Sequence, residues 1–225
     1  MLLRGAIYGI SAATIWGGMY VVSDIVLEVI PPFTLLTIRL LLAIGLLIVI
    51  LHLSGRTLPE HKLIIRFLGV GLVGMGVSLG AQFAGTALST AVNGALVTSA
   101  SPVFIMLFAV LILHEKLISR RIVAGILAII GVLVILNPAQ ADFGSETFLG
   151  DIFLIIAAIT WGLYSVLVRW AGQGEKADTL MITAIASIGG LFVSVPAAAI
   201  ELTQNNIGVI DIGTLLGILY LGFVS

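Results

Sequence analysis

The fold is decided by one stretch of sequence, residues 32–53, which reads PFTLLTIRLLLAIGLLIVILHL. It contains one formally charged residue, Arg39, among aliphatic and aromatic side chains. A helix of about 20 mostly apolar residues is long enough to cross the hydrocarbon core of a bilayer. The stretch therefore predicts a transmembrane helix.

The composition of the whole chain indicates the same environment. Of its 225 residues, 60% are hydrophobic and 9% are charged, against about 25% charged in a typical soluble domain. Lipid is the solvent that accepts so much apolar surface. The absence of cysteine excludes disulfides and thiolate metal sites, and the net charge of −1 gives no reason to expect nucleic acid as a partner.

Eight apolar stretches are long enough to be membrane spans or, in the last case, part of one. They are residues 5–22, 32–53, 63–82, 91–113, 122–136, 150–168, 180–200 and 212–225. The connections between them are short and leave no room for a soluble domain. The longest, residues 137–149, contains proline, glycine and acidic residues and is predicted to be an exposed loop. We therefore predict an all-α, polytopic transmembrane helix bundle.

The basic residues predict the orientation of this bundle. Outside the spans and at their ends, Lys and Arg occur only in alternate connections: Arg4, Arg56, Lys62, Arg66, Lys116, Arg120, Arg121, Arg169 and Lys176. The other connections contain acidic residues without any Lys or Arg: Asp24, Glu28, Asp142, Glu146, Asp151, Glu201 and Asp211. Cytoplasmic loops are enriched in Lys and Arg. The pattern predicts a multi-pass protein of the cytoplasmic membrane with a cytoplasmic amino terminus.

The chain resembles itself at an offset of 145 residues. Residues 5–17 read GAIYGISAATIWG and residues 150–162 read GDIFLIIAAITWG, so Trp16 matches Trp161 (161 − 16 = 145). Five spans separate the two copies, and because five is odd, the second copy is upside down in the membrane. Inverted repeats are the architecture of many secondary transporters.

Small residues recur at four-residue spacing in two of the spans. Gly5, Gly9, Ala13 and Gly17 do so in the first span, and Gly76, Gly80 and Ala84 do so in and beyond the third. Small residues at this spacing allow helix backbones to approach closely. The spacing predicts close packing, either as a static seam or as a sliding interface.

A series of short motifs resembles the EamA repeat of the drug/metabolite transporter superfamily. The motifs are AATIWGG (12–18), RLLLA (39–43), GTALSTAVNGALVTSASPVF (85–104), EKL (115–117), the glycines Gly125 and Gly131, and a restart at AAITWG (157–162). The resemblance implies ten helices in two inverted five-helix repeats around a central cavity. We expect a first repeat over residues 1–137 and a second, incomplete one over residues 146–225. The function implied is export or exchange of amino acids, related metabolites or drugs by alternating access.

One residue departs from the family pattern. His114 precedes Glu115 where the family usually has glycine. We attach no function to this difference.

Polar and aromatic residues inside the spans are the candidate substrate-binding residues. They are Trp16, Tyr20, Arg39, Gln82, Asn93, Thr98, Ser101, Pro102, Trp161 and Tyr164. Arg39 is interpreted as a counter-charge for a substrate carboxylate, as a member of a gating ion pair with Asp24, or as a structural cation bonded to backbone carbonyls. The aromatic side chains either stack on an aromatic or cationic ligand or pack in the core and at the interface.

The polar residues of spans three and four have two interpretations as well. They contact a ligand, with Pro102 freeing a backbone carbonyl for it, or they form ordinary hydrogen bonds between helices. No Asp or Glu lies deep in a span, so we see no carboxylate of the kind that carries protons in pumps.

Two rival classes of protein remain open. One is a multi-span receptor or assembly subunit that transports nothing, and the other is an intramembrane enzyme. Ser78 stands in the sequence GVSLG (76–80), which matches the nucleophile-elbow pattern. We attribute the match to chance in a glycine-rich helix, because the three histidines, His52, His61 and His114, lie near the predicted cytoplasmic ends of the spans, far from Ser78 along the membrane normal. The sequence contains neither a nucleotide-binding loop nor a zinc-protease motif, so we expect no catalytic residue, metal or cofactor.

The repeat offset predicts a longer transporter than this chain. Two halves of equal length would give about 290 residues, whereas the eighth span reaches residue 225. We expect that a longer polypeptide, a second chain or a homodimer completes the fold. The other expected partners are a small-molecule substrate and the lipid bilayer.

Overall fold

A computed structural model describes residues 2–56, 59–136, 145–173 and 178–225. The predicted loop around Asp142 and the predicted cytoplasmic cation Lys176 lie outside these residues. The described chain is helical and contains no strand. Its large aliphatic side chains are widely exposed on the outer surface, as expected for a protein whose solvent is lipid.

Eight helices follow one another along the described chain. They are α1 (Leu2–Leu27), α2 (Pro32–Leu53), α3 (His61–Leu88), α4 (Ala91–Leu113), α5 (Ser119–Leu136), α6 (Glu146–Ala171), α7 (Thr179–Gln204) and α8 (Ile212–Phe223). Six of the helices found in the described residues, all except α5 and α8, are long and apolar enough to cross a membrane. Each helix coincides with one predicted span, and this confirms an all-α polytopic membrane bundle.

Local sequence signals explain where several helices begin. α2 begins at Pro32, a residue favoured in the first turn because it has no N–H to satisfy. α6 follows Ser145, whose hydroxyl accepts the N–H of Phe148 at 3.1 Å. α8 follows Asp211, which accepts the N–H and the hydroxyl of Thr214, both at 2.7 Å. These hydrogen bonds, first of all that of the backbone, hold the pKa of Asp211 below its usual value.

Two helices are irregular. α3 contains a π-helical segment, Leu72–Ser78, between two α-helical parts. α4 consists of Ala91–Thr98 and Ser101–Leu113, separated by a turn just before Pro102. Proline breaks the α-helical ladder because it lacks an N–H and its ring clashes with the preceding turn. The carbonyl that Pro102 would leave free, that of Thr98, accepts the hydroxyl of Ser101.

α2 and α7 form the centre of the bundle and pack along each other. α3 packs on α7 and α8 packs on α2, while α1 lies against α8 and α6 lies against α3 and α4. Glycine makes the α3–α7 crossing possible. A Cβ atom on Gly71 would overlap the backbone of Ala186, and one on Gly189 would overlap the backbone of Leu68.

The helix ends form two faces of opposite composition. The face that we call the basic face includes Arg56, Lys62, Lys116, Arg120 and Arg169, and the face that we call the acidic face includes Asp24, Glu28, Asp151, Glu201 and Asp211. Contacts between distant helix ends stay within one face, such as Glu115 with Arg169 and Gly208 with Val29. The chain therefore passes from one face to the other with successive helices.

Candidate functional site

The two tryptophans at equivalent positions of the sequence repeat touch each other. Trp16 of α1 and Trp161 of α6 make an edge-to-face contact, with ring centroids 5.8 Å apart and an interplanar angle of 79°. Each is near the middle of its helix, about 21 Å from Leu2 and about 22 Å from Glu146 at 1.5 Å per residue. Trp16 is 53% exposed. About half of the Trp16 side chain is therefore not covered by the rest of the described chain, near the middle of its helix.

Tyr164 extends this aromatic group by one helical turn. Its ring centroid is 5.1 Å from that of Trp161, at an interplanar angle of 40°. The ring also packs directly on Gly74 in the π-helical segment, where a Cβ atom would overlap it. Tyr164 therefore joins the tryptophan pair to the irregular part of α3.

Arg39 is buried in the core of the bundle. Its side chain is stacked over Phe83, with the guanidinium carbon 5.6 Å from the ring centroid, and its Nη2 donates to the carbonyl of Ser225 at 2.9 Å. Nη1 has no hydrogen-bond partner in the described part of the chain. A buried cation with an unmet donor is costly, so this group has the capacity to bind an anion.

The proposed ion pair between Arg39 and Asp24 is not formed among the described residues. Arg39 contacts a backbone carbonyl and an aromatic ring instead. The hydrogen bond to Ser225 fits the interpretation of Arg39 as a structural cation. The absence of a partner for Nη1 in the described chain fits its interpretation as a counter-charge for a substrate carboxylate.

Tyr20, Thr98 and Ser101 form one hydrogen-bonded group between α1 and α4. The hydroxyl of Thr98 donates to the carbonyl of Gly94 at 2.6 Å, so the buried Tyr20 hydroxyl is the donor in its contact with Thr98. Ser101 donates to the Thr98 carbonyl. These contacts match the second interpretation of the polar residues, in which they connect and stabilise helices.

Gln82 is buried on α3 with a weak partner. Its Nε2 lies 3.8 Å from the sulfur of Met19. A thioether is a poor acceptor, so a ligand oxygen could replace this contact at little cost. Gln82 is next to Phe83, and both belong to the part of α3 that packs near α1 and α2.

Asn93 lies apart from the aromatic group, at the acidic face. Its Nδ2 donates to Ser89 at 3.0 Å and to Asp151 at 3.2 Å, and Ser89 donates to the same carboxylate oxygen at 2.8 Å. The three residues connect the start of α4 and the end of α3 to the first turns of α6. Asn93 therefore joins α4 to α6 by hydrogen bonds near the acidic face.

Pro102 also lies apart from the aromatic group and lines a cavity. This open cavity of about 490 Å³ is lined by residues of α4, α5 and the end of α6, among them Ser99, Met106, Ala109, Gly125 and Arg169. The ion pair between Arg169 and Glu115 lies at its edge. No member of the aromatic group lines it.

The structure thus brings together some of the predicted substrate-binding residues. Trp161 packs against a buried cluster that contains Tyr20, Leu79 and Phe83, and Phe83 in turn supports Arg39. Sequence reasoning missed Phe83 and Thr86, whose buried hydroxyl lacks a partner in the described chain. Thr86 is four residues after Gln82, and this helical spacing was the signal that could have indicated it.

Ser78, the residue of the nucleophile-elbow pattern, has a structural contact. It is buried in the π-helical segment, and its hydroxyl donates to the carbonyl of Ala157 at 2.9 Å. The contact joins α3 to α6.

The fold and these residues define a multi-pass α-helical membrane protein with aromatic and cationic side chains at mid-membrane depth. The sequence profile of the EamA-like transporter family matches residues 3–137 and residues 148–225. The chain belongs to this family, as its motifs predicted. No solved structure matches the chain.

Relatives with curated names are transporters. An uncharacterized transporter of Archaeoglobus fulgidus is 26% identical over 212 residues, which cover 93% of this chain and 72% of the relative. The uncharacterized transporter YetK of Bacillus subtilis is 25% identical over 215 residues, covering 91% of this chain and 63% of the relative. An S-adenosylmethionine uptake transporter of Rickettsia prowazekii is 31% identical over 115 residues, covering 51% and 37%. These comparisons support a transporter of the drug/metabolite type.

Proposed function

We propose that the protein moves a small metabolite across the cytoplasmic membrane by alternating access. The observation that carries this proposal is the contact between Trp16 and Trp161. Two residues that a two-fold axis relates can touch only near that axis. A ligand bound there is equally placed for release to either face when the two repeats exchange conformations.

Helix contacts support the two inverted repeats, residues 1–137 and 146–225, on which this mechanism depends. With an offset of 145 residues, α1, α2 and α3 correspond to α6, α7 and α8. The contact of α1 with α8 then corresponds to that of α6 with α3, and the contact of α2 with α8 corresponds to that of α7 with α3. All four contacts are present, and this agreement supports the proposal of two equivalent repeats.

The substrate class follows from the two kinds of group at the site. Trp16 and Trp161 offer ring faces to an aromatic or cationic group, which aromatic side chains attract through their quadrupole. Arg39 offers a free donor to a carboxylate. An amino acid-like or drug-like molecule that carries both kinds of group fits this combination. S-adenosylmethionine, which appears in the name of the Rickettsia relative, has an adenine ring, a sulfonium cation and a carboxylate, and it is the first compound to test.

The orientation and the direction of transport are parts of the same proposal. The basic face is cytoplasmic, together with the amino terminus, because Lys and Arg favour the cytoplasmic side. The direction is export, as the family resemblance implies. The Rickettsia relative is named for uptake, so transport has to be measured in both directions.

Reconstitution of the purified protein into proteoliposomes tests the proposal. Labelled S-adenosylmethionine and a panel of amino acids are loaded inside or outside, and we expect saturable movement that an excess of the same unlabelled compound accelerates by exchange. A thermal-shift titration on the same preparation measures binding separately. Binding without movement in either direction would identify the rival class, a receptor or assembly subunit.

A further inference from the structure

α2 and α7 bind each other's ends at both faces. At the acidic face, Glu201 near the end of α7 accepts the N–H of Thr34 at 2.8 Å, the hydroxyl of Thr34 at 2.9 Å and the N–H of Phe33 at 3.2 Å. α2 has no side-chain cap of its own, because Pro31 precedes it. Glu201 therefore supplies, from another helix, the anion that a helix amino terminus favours.

At the basic face the partners are exchanged. Arg56, just after α2, forms an ion pair with Asp178, the residue that precedes α7. Asp178 also accepts the N–H of Leu180 at 3.3 Å and so caps α7. The end of one central helix again contacts the start of the other.

The two contacts are equivalent under the sequence repeat. Glu201 and Arg56 are separated by the repeat offset (201 − 56 = 145), and so are Asp178 and Phe33 (178 − 33 = 145). Equivalent positions therefore join α2 to α7 at both faces. Alternating access by an inverted repeat opens the two faces at different times. One of the two equivalent contacts then opens while the other stays closed.

The two contacts differ in chemistry. The basic-face contact is an ion pair whose side chains are 43% and 28% exposed, and exposed ion pairs are weak and screened by salt. The acidic-face contact joins a carboxylate to neutral donors of α2, and Thr34 is buried. Charge-assisted hydrogen bonds to neutral donors are strong and involve no counter-cation for salt to screen.

Each face has a second contact, and its chemistry is that of the first contact on the same face. At the basic face, Arg169 of α6 forms an ion pair with Glu115 after α4, with side chains 54% and 30% exposed. At the acidic face, Asp151 of α6 accepts the neutral donors of Ser89 and Asn93. These two side-chain contacts at the basic face are thus ion pairs, and these two at the acidic face join a carboxylate to neutral donors.

We propose that the Arg56–Asp178 and Glu201–Thr34 contacts are the two gates of the protein, and that ionic strength loosens the gate at the basic face selectively. The assignment rests on the alternating-access function proposed above. Pro196 lies five residues before Glu201 within α7. Because proline removes one bond of the helix ladder, the last turns of α7 can tilt away from α2 with little loss.

Distance measurements between spin labels test the gates without any substrate. The chain has no native cysteine, so cysteines replacing Ser54 and Thr179 report on the basic face and cysteines replacing Glu28 and Gln204 report on the acidic face. Raising the salt from about 50 mM to about 1 M shortens the Debye length severalfold. We expect salt to lengthen the distance between positions 54 and 179 and to leave the distance between positions 28 and 204 unchanged.

Substitutions separate the two gates further. Arg56→Gln is expected to lengthen only the basic-face distance, and Glu201→Gln only the acidic-face distance. Asp211→Asn is the matched control, because Asp211 accepts hydrogen bonds from its own helix and does not join α2 to α7.

Equal responses of both faces to salt, or no response at either face, would overturn the assignment. The salt experiment needs no gate substitution, so misfolding of a variant does not affect it. If the basic-face contact opens selectively with salt but the protein moves no solute in proteoliposomes, the proposed transport is refuted and with it the role of these contacts as gates, whereas transport without the selective salt response refutes the gate assignment alone.

Discussion

The rings of Trp16 and Trp161 lie 5.8 Å apart in an edge-to-face contact, and the two residues occupy the same position in two copies of one sequence repeat. The pair is at mid-membrane depth and in contact with the buried cluster that supports Arg39. The proposed binding of a zwitterionic ligand at this pair and at Arg39 can be tested residue by residue.

The first prediction concerns this pair. Trp16→Ala and Trp161→Ala should each weaken the apparent affinity for substrate about tenfold, because an aromatic contact with a desolvated cation is worth about 1–2 kcal/mol. Trp16→Phe and Trp161→Phe should lose less, since a ring remains. Initial rates of transport against substrate concentration provide the measurement.

Trp170 provides the matched control for that prediction. It lies on the same helix as Trp161 but near its end, and it is 47% exposed. Trp170→Ala should leave the affinity unchanged. An equal loss for Trp170→Ala and Trp161→Ala would show that the effect comes from damage to α6 and not from a ligand contact.

The second prediction separates the interpretations of Arg39. If its charge serves the substrate, Arg39→Lys retains part of the transport and Arg39→Ala abolishes it, while both variants insert into the membrane. Arg39→Ala also removes the guanidinium from its position over the Phe83 ring, and loss of such a cation–π contact costs about 0.5–2 kcal/mol. Thermal unfolding in detergent measures that structural part. Normal transport by Arg39→Ala would exclude the counter-charge interpretation.

Hydropathy was sufficient to predict the helices because a span is defined by length and polarity. The predicted bounds of α2 and α4 agree with the structure residue for residue, whereas α1, α3 and α7 extend beyond their predicted bounds. A helix often continues into polar residues at the membrane surface, where hydropathy no longer separates helix from loop. Hydropathy therefore cannot locate the end of the helix. The π-helical segment of α3 was not predicted, because it depends on packing against Tyr164 and α7.

The site was less predictable, since residue type does not specify which neighbour a side chain meets. Asn93 was grouped with the candidate substrate-binding residues inside the spans, and its partner in the structure is Asp151 at the acidic face. The small-residue spacing of the first span also predicted packing for Gly9 and Gly17, but a Cβ atom on either would meet no other residue within 4 Å. The same spacing in α3 does pack, with Gly76 against Val193 and Gly80 against Phe33.

That difference between glycines gives the third prediction. Gly189→Ala places a methyl group on the backbone of Leu68, so α3 and α7 must separate, and we expect a loss of about 1–3 kcal/mol in stability. Gly17→Ala meets open space and should be neutral or slightly stabilising, because alanine is a better helix former. Unfolding midpoints of both variants in the same detergent are compared with that of the unsubstituted protein. Equal destabilisation by the two changes would contradict the close α3–α7 crossing.

The fourth prediction concerns His114, which stands where the family usually has glycine. His114 ends α4 with φ 55°, in the left-handed region that glycine adopts without strain. His114→Gly should therefore raise stability by about 1 kcal/mol. Gly55 has a φ of +61° and no neighbour near its Cβ position, so Gly55→Ala should lower stability by a similar amount. Thermal unfolding measures both, and a destabilised His114→Gly would show that the imidazole makes a contact worth more than the strain.

The last prediction concerns the orientation of the two faces in the membrane. Ser119 is exposed at the basic face, at the start of α5, and Asn206 is exposed at the acidic face, between α7 and α8. Because the chain has no cysteine, Ser119→Cys and Asn206→Cys each introduce a single thiol. If Lys and Arg hold the basic face in the cytoplasm, a membrane-impermeant thiol reagent added to intact cells labels Asn206→Cys, and it labels Ser119→Cys only after the membrane is permeabilised. The permeabilised sample is the control for reactivity of both thiols. Labelling of Ser119→Cys alone in intact cells would reverse the orientation, and with it the side from which an exporter takes up its substrate.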